Sequence, residues 1–491
     1  MSQPAPARTE TSGLVGENTL PVVACLPPEI DAEQVFLRLA SRPHCVFFDS
    51  ARRDPVLGRY SFVAADPFDF MHVVPGDAEP GSPDALSQLA GRMQHLGSRP
   101  LDGLPPFQGG AAGLVGYDLN QQFERLPSPA VDEFAMPALA MGLYDVVVAF
   151  DHQQSQAWIV SQGWPERNVA RRRERAHQRL AEFRAWLDDP PTAGHGSRAP
   201  AGQPLSSEQL ARQYATGRLP GLSSNFSRDG YLAAVARAIE YVRAGDIFQV
   251  NLSQRLLYPA ASDAISLYRR LRSRNPAPFA GYFDLGPFQI VSASPERFLR
   301  SIDGQVEARP IKGTRPRGTL GEADLFSGDE LRDSVKDRAE NVMIVDLLRN
   351  DLSRVCTADS VQVVELCRLE SYEFVQHLVS SIRAELAPGR GPLDLLRAAF
   401  PGGSITGAPK IRAMEIIAEL EPTARGAYCG SLAYLGFDGA LDSSILIRTI
   451  TAGRGWWQAP VGGGIVAGSD PAGEYQETWH KAEGLLRALT D

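Results

Sequence analysis

The feature that most constrains this chain is a hairpin pattern over residues 292–314, with Asp303-Gly304 at its centre. Asp-Gly favours a two-residue type I′ turn between strands that alternate apolar and polar residues. In the register that this turn sets, Glu296 faces Ile311, and Lys312 is the next residue along. The pattern therefore brings a carboxylic acid and a primary amine together at the open end of the hairpin.

Two interpretations of Glu296 and Lys312 stay open on these residues alone. One is an ordinary ion pair at a sheet edge, and the other is the acid and amine of an active site. Strict alternation places the two side chains on opposite faces, but Pro310 cannot donate to the strand ladder and Gly313 loosens the strand after it. The pattern predicts proximity and leaves orientation undecided.

The composition indicates a globular protein without a basic surface for nucleic acid. The 491 residues carry a net charge of -9 and suffice for two or more domains, so local charges must hold any anionic substrate. The 5 cysteines show no C-x-x-C spacing, which argues against a disulfide framework and a zinc site. Because neither a signal peptide nor a long apolar run is present, we expect a cytoplasmic protein that contacts no membrane.

Shifts in composition divide the chain into four parts. Residues 1–19 are rich in Pro, Ser, Thr and Gly and are expected to form a disordered tail. Residues 20–187 are expected to form an N-terminal companion domain, and residues 188–224 a linker rich in Pro, Gly, Ser and Ala. Residues 225–491 are expected to form the second, catalytic domain.

The second domain contains a strand predicted over residues 246–256. Alternate positions Phe248, Val250, Leu252 and Leu256 are apolar and predict a core-facing side. Gln249, Asn251 and Ser253 form a polar face, which contacts either a substrate or solvent.

Two helices each carry a pair of acidic residues three positions apart. Asp337 and Glu340 lie on a helix predicted over residues 334–355, and Glu474 and Glu477 lie near the C-terminus. Residues i and i+3 share a helix face, so the two helices offer four oxygen ligands to a hard cation such as Mg²⁺. Exposed faces of two separate helices are the alternative that these residues leave open.

The glycine-rich segment 400–412 is not a Walker phosphate loop, because Gly407 is followed by Ala-Pro and not by Lys-Ser/Thr. It predicts an approach to a helix capped by Thr406, whose free amides could receive a carboxylate.

A second hairpin is predicted at Asp438-Gly439 and places Arg448 opposite Cys429 and next to Tyr428. An arginine at such a strand end suits bidentate capture of a carboxylate. The strand over residues 461–466 contains three glycines, which indicates that its backbone passes close to a ligand or to another chain.

A series of segments in the second domain resembles the chorismate-utilising enzymes, which include anthranilate synthase component I, aminodeoxychorismate synthase component I, isochorismate synthase and salicylate synthase. Together they cover residues 226 to 485 with little interruption. The matching segments are Phe248–Ser253, Ser294–Phe298, Pro310–Arg317, Asp337–Leu347, Phe400–Arg412, Gly462–Ala467 and Glu474–Thr478.

The resemblance implies an α+β fold in which antiparallel β-sheets form a central sandwich wrapped by helices, as in anthranilate synthase component I. It also implies that Glu340 and Glu477 bind Mg²⁺ directly, with Asp337 and Glu474 orienting its waters, so that the metal holds the ring carboxylate of chorismate. The residues that it implies for contact with the rest of the substrate are Gly313, Thr314, His377, Thr406, Tyr428, Arg448, Gly462 and Gly464.

Position 312 distinguishes members of the family. Anthranilate synthases usually read Pro-Ile-Ala-Gly-Thr there, whereas aminodeoxychorismate synthases of the lysine type read Pro-Ile-Lys-Gly-Thr, as this chain does. The resemblance implies formation of 4-amino-4-deoxychorismate, a step toward p-aminobenzoate and folate, with Lys312 as nucleophile and Glu296 as acid. The nearer alternative is anthranilate synthesis. The remote one is a non-catalytic regulatory subunit, which would be expected to lack a carboxylate or Arg448.

The resemblance also implies a partner and a second site. The chain has no Gly-x-Cys-x-Gly nucleophile elbow, so a separate glutamine amidotransferase subunit is expected to form a heterodimer with it and supply ammonia. Residues 47–50 stand where feedback-inhibited members carry Leu-Leu-Glu-Ser, which indicates an amino-acid pocket that includes Ser50. Residues 275–280 lack the methionine of tryptophan-sensing members, so inhibition by tryptophan is not implied.

Overall fold

The computed structural model describes residues 20–53, 57–75, 81–189, 203–316, 329–371 and 375–490. The expected disordered tail, residues 1–19, and residues 190–202 of the expected linker lie outside the described part of the chain.

Two antiparallel β-sheets form the centre of the molecule. The strands of the first sheet are β1 (Val22–Cys25), β2 (Val46–Asp49), β3 (Tyr60–Ala64), β7 (Val146–Asp151), β8 (Gln156–Ser161), β9 (Tyr214–Ala215), β10 (Ser223–Ser224), β11 (Gln249–Pro259), β12 (Phe279–Asp284), β13 (Phe288–Ser294), β19 (Gly407–Ala408), β22 (Thr449–Gly453) and β23 (Trp456–Ile465). The strands of the second sheet are β4 (Asp69–Val73), β5 (Gly110–Val115), β6 (Leu139–Tyr144), β14 (Arg297–Ile302), β15 (Gln305–Ala308), β16 (Ile311–Pro316), β17 (Gln362–Ser371), β18 (Val375–Glu385), β20 (Ser431–Gly436) and β21 (Leu441–Ser444).

Buried side chains from both sheets fill the space between them. Val46 and Phe283 come from the first sheet, and Leu114 and Leu432 come from the second. The expected α+β sandwich of antiparallel sheets is confirmed.

Helices cover the outer faces of the sheets. The helices are α1 (Ala32–Leu39), α2 (Ala85–Met93), α3 (Val169–Asp188), α4 (Arg228–Ala244), α5 (Ala264–Arg274), α6 (Val335–Ser353), α7 (Pro392–Ala399), α8 (Lys410–Leu420) and α9 (Pro471–Leu489). Helix α9 packs on β23, α4 and α5, while α6 packs on β16, β17 and β18. Among the described residues, no helix combines the length and the apolar character needed to cross a membrane.

The two expected domains contribute neighbouring strands to both sheets. In the first sheet β2 pairs with β12, and in the second β5 pairs with β20. The boundary drawn from composition therefore does not divide the sheets. From residue 203 the expected linker is part of the fold, because Leu205 is buried and β9 and β10 extend the first sheet from β11.

The central hairpin forms as predicted around its turn. Ile302 pairs with Gln305, and Asp303 and Gly304 both have positive φ, of 50° and 77°, as a type I′ turn requires. Beyond β15 the chain leaves this ladder, because β16 pairs with β18. The expected neighbours still meet, since the Ile311 amide donates to the Glu296 carboxylate.

The strand predicted over residues 246–256 forms as β11, but the burial of one side chain was predicted wrongly. Phe248 is 71% exposed, so its assignment to the core was wrong. It precedes the first residue of β11 and does not follow the alternation of that strand. The polar face of Gln249, Asn251 and Ser253 is buried, which excludes contact with bulk solvent.

Candidate active site

Glu296 lies between β13 and β14, and only 5% of its surface is exposed. Its carboxylate accepts hydrogen bonds from the Ile311 amide and, at 3.2 Å, from the Ser404 hydroxyl. Burial raises the pKa of Glu296 to about 7, and the charge of Lys312 and these hydrogen bonds oppose the rise only in part. A carboxyl group with this pKa is often protonated at neutral pH and can donate a proton.

Lys312 reaches the same place from β16. Its Nζ donates to the carbonyl oxygen of Ser404 at 3.0 Å. Burial lowers the pKa of Lys312, although the charges of Glu340 and Glu296 act in the opposite direction. The neutral amine, which is the nucleophilic form, is therefore more accessible than in an exposed lysine.

Gly313 forms a bulge in β16 directly after Lys312. Its φ is +70°, and the pairing of β16 with β18 shifts register at this residue. A Cβ atom here would lie 2.7 Å from the Leu331 side chain and 3.0 Å from that of Asp337. Glycine is therefore required by both backbone conformation and space.

His377 of β18 lies opposite Thr314 and is 8% exposed. Burial lowers the pKa of His377 to about 4, even though the ring forms a hydrogen bond with the Gly313 backbone. The imidazole is therefore neutral at physiological pH. The side chain of Thr314 lies outside the described part of the structure.

The predicted acidic pairs come from α6 and α9, and lysines lie between them. The Lys336 ammonium is 3.5 Å from Glu474 and 4.0 Å from Glu340. Burial raises the pKa of Glu340; Lys312 and Lys336 oppose this rise, and the charges of Asp337 and Glu474 add to it. The two helices thus bring carboxylates close enough to affect one another.

Glu477 contacts a second lysine. The Lys481 Nζ lies 2.7 Å from Glu477 and donates to the Gly462 carbonyl at 2.8 Å. Burial would raise the pKa of Glu477, but Lys481 in particular holds it below its usual value.

Within the described ranges, no three His, Cys, Asp or Glu side chains are arranged closely enough to hold a metal ion. Lys336 and Lys481 supply positive charge among these carboxylates. The donor type fits Mg²⁺, because Asp337, Glu340, Glu474 and Glu477 supply hard oxygen atoms from two helices, and the charge of Glu474 acts on Glu340.

Arg448 and Tyr428 lie near each other, but not in the predicted register. The turn is one residue longer than predicted, because β20 and β21 pair Leu435 with Leu441. The register is therefore shifted by one residue and Arg448 is not opposite Cys429; both of these residues also have positive φ, of 54° and 64°. Burial lowers the pKa of Arg448, and Tyr428 and Glu477 oppose this shift. No carboxylate of the described residues forms an ion pair with Arg448, so its guanidinium is available to an anionic ligand.

The glycines of β23 approach other parts of the same chain. A Cβ at Gly462 would lie 2.5 Å from the Leu252 carbonyl oxygen, and one at Gly464 would lie 2.8 Å from the Gln249 amide nitrogen. Gly463 faces the other side, where a Cβ would lie 3.4 Å from Glu474. Close packing against β11 therefore explains two of these glycines without a ligand.

Thr406 does not cap a helix, so that prediction was wrong. Helix α8 begins at Lys410 with Pro409 in the N-cap position, because strand β19 separates the helix from the glycine-rich turn. The buried Thr406 hydroxyl instead donates to the Gly402 carbonyl at 2.9 Å.

Ser50 lines a separate cavity of about 240 Å³. Its hydroxyl donates to the Tyr60 carbonyl at 2.6 Å, and Phe48, Arg300 and Tyr434 also line the space. None of the residues around Lys312 lines this cavity, and the expected amino-acid pocket stays a prediction.

The sequence reading missed three residues of the cluster. Lys336 and Lys481 lie four positions from Glu340 and Glu477, a spacing that places them on the same helix faces. This signal was readable in the sequence. No sequence signal pointed to Ser404, because its contacts with Glu296 and Lys312 join segments about a hundred residues apart.

Comparisons with known proteins identify the family of the chain. The family model described as chorismate binding enzyme matches residues 50–487. Anthranilate synthase component 1 of Thermus thermophilus is 45% identical over 386 residues, covering 79% of this chain and 78% of the relative. Aminodeoxychorismate synthase component 1 of Escherichia coli is 39% identical over 477 residues, covering 95% and 98%. The crystal structure of anthranilate synthase component I from Streptococcus pneumoniae superposes with a TM-score of 0.72 at 29% identity, covering 88% of this chain and 93% of that one. The chain therefore belongs to the family of chorismate-binding enzymes.

Proposed function

We propose that this chain converts chorismate and ammonia to 4-amino-4-deoxychorismate. The observation that supports this most directly is the arrangement at Ser404, which contacts both the buried acid Glu296 and the amine of Lys312. Burial favours the neutral form of each group, as a proton donor and a nucleophile require.

In the proposed first step the Lys312 Nζ bonds to ring carbon 2 of chorismate. Both conjugated double bonds of the ring shift by one position, the bond from carbon 4 to its hydroxyl breaks, and Glu296 donates a proton so that water leaves. The Glu296 carboxylate then accepts the proton that the lysine nitrogen loses on bonding.

In the proposed second step ammonia adds to ring carbon 4. Both ring double bonds shift back, the bond between carbon 2 and the Lys312 nitrogen breaks, and the free amine is restored. A proton moves from the added nitrogen to the departing lysine, so that the step balances without an oxidant or reductant.

Other polar groups of the site suit contacts with a substrate carboxylate and with the ring. Arg448 suits a bidentate contact with the enolpyruvyl carboxylate, beside Tyr428 and the backbone of Gly462 and Gly464. His377 is neutral and suits a hydrogen bond to the ring.

We further propose that Glu340 and Glu477 hold Mg²⁺, with Asp337 and Glu474 around them. When bound, the ion would supply positive charge for the ring carboxylate of chorismate. The Lys336 ammonium adds positive charge beside these carboxylates, because it lies between Glu340 and Glu474.

Anthranilate synthesis is the second candidate, and the 45% identity to the Thermus thermophilus anthranilate synthase component 1 favours it. In that reaction ammonia must itself reach carbon 2. The amine of Lys312 argues for 4-amination, because it would occupy the position from which ammonia attacks that carbon.

We propose a separate glutamine amidotransferase as the source of ammonia. The relatives are named component 1 of their synthases, and this sequence contains no Gly-x-Cys-x-Gly nucleophile motif. Its Cys429 is buried, and burial raises the pKa of that thiol to about 12, which disfavours the reactive thiolate.

The test is to incubate the purified chain with chorismate and Mg²⁺, adding either an ammonium salt or glutamine, and to identify the aminated isomer. We expect 4-amino-4-deoxychorismate with ammonium and no aminated product with glutamine. A 2-amino product would establish the second candidate. Absence of any turnover would support a non-catalytic subunit, and use of glutamine by the chain alone would contradict the proposed partner.

A further inference from the structure

A short 3-10 turn, Gly403–Ile405, places Ser404 between the acid and the amine. The Ser404 hydroxyl donates to the Glu296 Oε1 at 3.2 Å, and the Ser404 carbonyl accepts from the Lys312 Nζ at 3.0 Å. Ser404 is 6% exposed. Ser404 therefore contacts both reactive groups: its side chain contacts Glu296, and its backbone contacts Lys312.

The turn that carries Ser404 is held on both sides. The Thr406 hydroxyl donates to the Gly402 carbonyl at 2.9 Å, and the Arg425 guanidinium donates to the Ile405 carbonyl at 3.0 Å. Arg425 is itself fixed by a buried ion pair with Glu421 at 2.7 Å. Because buried hydrogen bonds to a charged group are strong, Ser404 has little freedom to follow movements of its partners.

We infer that Ser404 is a positioning residue that fixes where the acidic proton of Glu296 and the lone pair of Lys312 point. This inference rests on the proposed function. A hydroxyl that donates to Oε1 leaves Oε2 to carry the proton of the acid. A carbonyl that takes one N–H of the neutral amine leaves its lone pair directed away from the turn. Both reactive features then face away from Ser404.

The hydroxyl also affects how readily Glu296 ionises. The charge of Lys312 on β16 acts on Glu296, and the charge of Glu296 in turn raises the pKa of the buried Cys429 thiol, which stays uncharged while Glu296 titrates. The Ser404 hydroxyl stabilises the ionised carboxylate, so its removal should raise the pKa of Glu296 further. Because the protonated acid is the active form, loss of the hydroxyl should extend activity to higher pH.

The experiment measures kcat and KM against pH for the parent, Ser404→Ala and Ser404→Thr, at constant free ammonia. We expect Ser404→Ala to lower kcat by about tenfold or more with little change in KM. On the alkaline side of the profile, kcat decreases as Glu296 loses its proton; we call this decrease the alkaline fall. In Ser404→Ala its midpoint should lie roughly one pH unit higher than in the parent. Ser404→Thr retains the hydroxyl and should keep the parental pH profile.

Ser294→Ala is the matched control, because this buried hydroxyl accepts from the Glu296 amide and does not contact the carboxylate. It should lower the melting temperature without moving the alkaline fall. If Ser404→Ala does not fold, Ser404→Cys replaces it, since a thiol donates only weakly, and a shift in the same direction is expected.

The inference is overturned if a folded Ser404→Ala keeps the parental alkaline fall, or if Ser404→Thr or Ser294→Ala moves it equally. The same assays report the isomer formed. A 2-amino product from the parent would contradict the proposed function, whereas an unmoved pH profile with a 4-amino product would contradict only the role of Ser404.

Discussion

Burial acts in opposite directions on the two reactive groups. It raises the pKa of the Glu296 carboxyl and lowers the pKa of the Lys312 amine, so the uncharged forms of both gain relative to the ion pair. An exposed pair of the same residues would keep its charges and contribute little. Local environment, more than residue type, therefore distinguishes this pair from an ordinary salt bridge.

This environment predicts the pH dependence of the reaction. Because Glu296 must be protonated, the rate at constant free ammonia should fall as pH rises through about 7, the folded-state pKa of this group. Glu296→Gln cannot donate the proton, so we expect kcat to fall by roughly 10² to 10⁴ and the alkaline fall to disappear. A Glu296→Gln variant within threefold of the parental kcat would contradict the assignment.

The four carboxylates predict a requirement for Mg²⁺. Excess chelator should abolish turnover, and Glu340→Gln or Glu477→Gln should lower it by roughly 100-fold or more, because each removes a hard oxygen ligand. Calorimetric titration should show weaker Mg²⁺ binding in both variants. Glu483→Gln on the same helix is the control, since Glu483 is exposed and pairs with Arg487. Full turnover in chelator would show that no metal is needed.

At the scale of elements, β23 predicts different effects for two adjacent glycines. Gly462→Ala forces a methyl group to within 2.5 Å of the Leu252 carbonyl, so it should cost roughly 1–3 kcal/mol of stability. Gly463→Ala places its methyl group 3.4 Å from Glu474 and from Lys481, where side chains can adjust. We expect a near-parental melting temperature and weaker activation by Mg²⁺. Equal loss of stability in both variants would contradict this account of the strand.

Elements specified by local sequence were predictable. Asp303-Gly304 determines its turn through backbone conformation alone, Gly245 ends α4 in the left-handed conformation, and Asp470 caps α9 through the Gly473 amide. Each depends on a few neighbouring residues, which a single sequence contains.

Features that depend on distant segments were not predictable. Phe248 is exposed although it is apolar, because it precedes β11 and does not follow the alternation of that strand. Gln249 is buried although it is polar, and β19 pairs with it from a segment about 160 residues later. The register before Arg448 is shifted by one residue, because the turn between β20 and β21 is one residue longer than the Asp-Gly pattern predicts. Ser404 joins the site only through the folded arrangement of three separate segments.

At the scale of the whole molecule, the shared sheets predict one cooperative unit. A fragment of residues 203–491 would expose the edges of β12 and β20 that pair with β2 and β5 in the intact chain. Unpaired strand edges favour aggregation, so we expect this fragment to lack a cooperative melting transition and the intact chain to show a single one. Calorimetry of both proteins tests this. A fragment that melts cooperatively at the parental temperature would show that the segments are independent domains.

The central claim is that Lys312 acts as a nucleophile and directs nitrogen to carbon 4. Shortening this side chain should slow 4-amination by roughly 10² to 10⁴ fold. It should also open carbon 2 to ammonia, so that a trace of 2-amino product forms. Lys410→Ala is the control, because Lys410 is a buried lysine paired with Asp351 at 2.6 Å, and its loss should lower stability without changing the product.

The most direct measurement is the product composition of Lys312→Ala beside the parent and Lys410→Ala, with chorismate, Mg²⁺ and an ammonium salt, together with the melting temperature of each. The account predicts a folded Lys312→Ala variant that loses the 4-amino product and gains a small amount of the 2-amino isomer. A folded Lys312→Ala variant that forms 4-amino-4-deoxychorismate at the parental rate would contradict it.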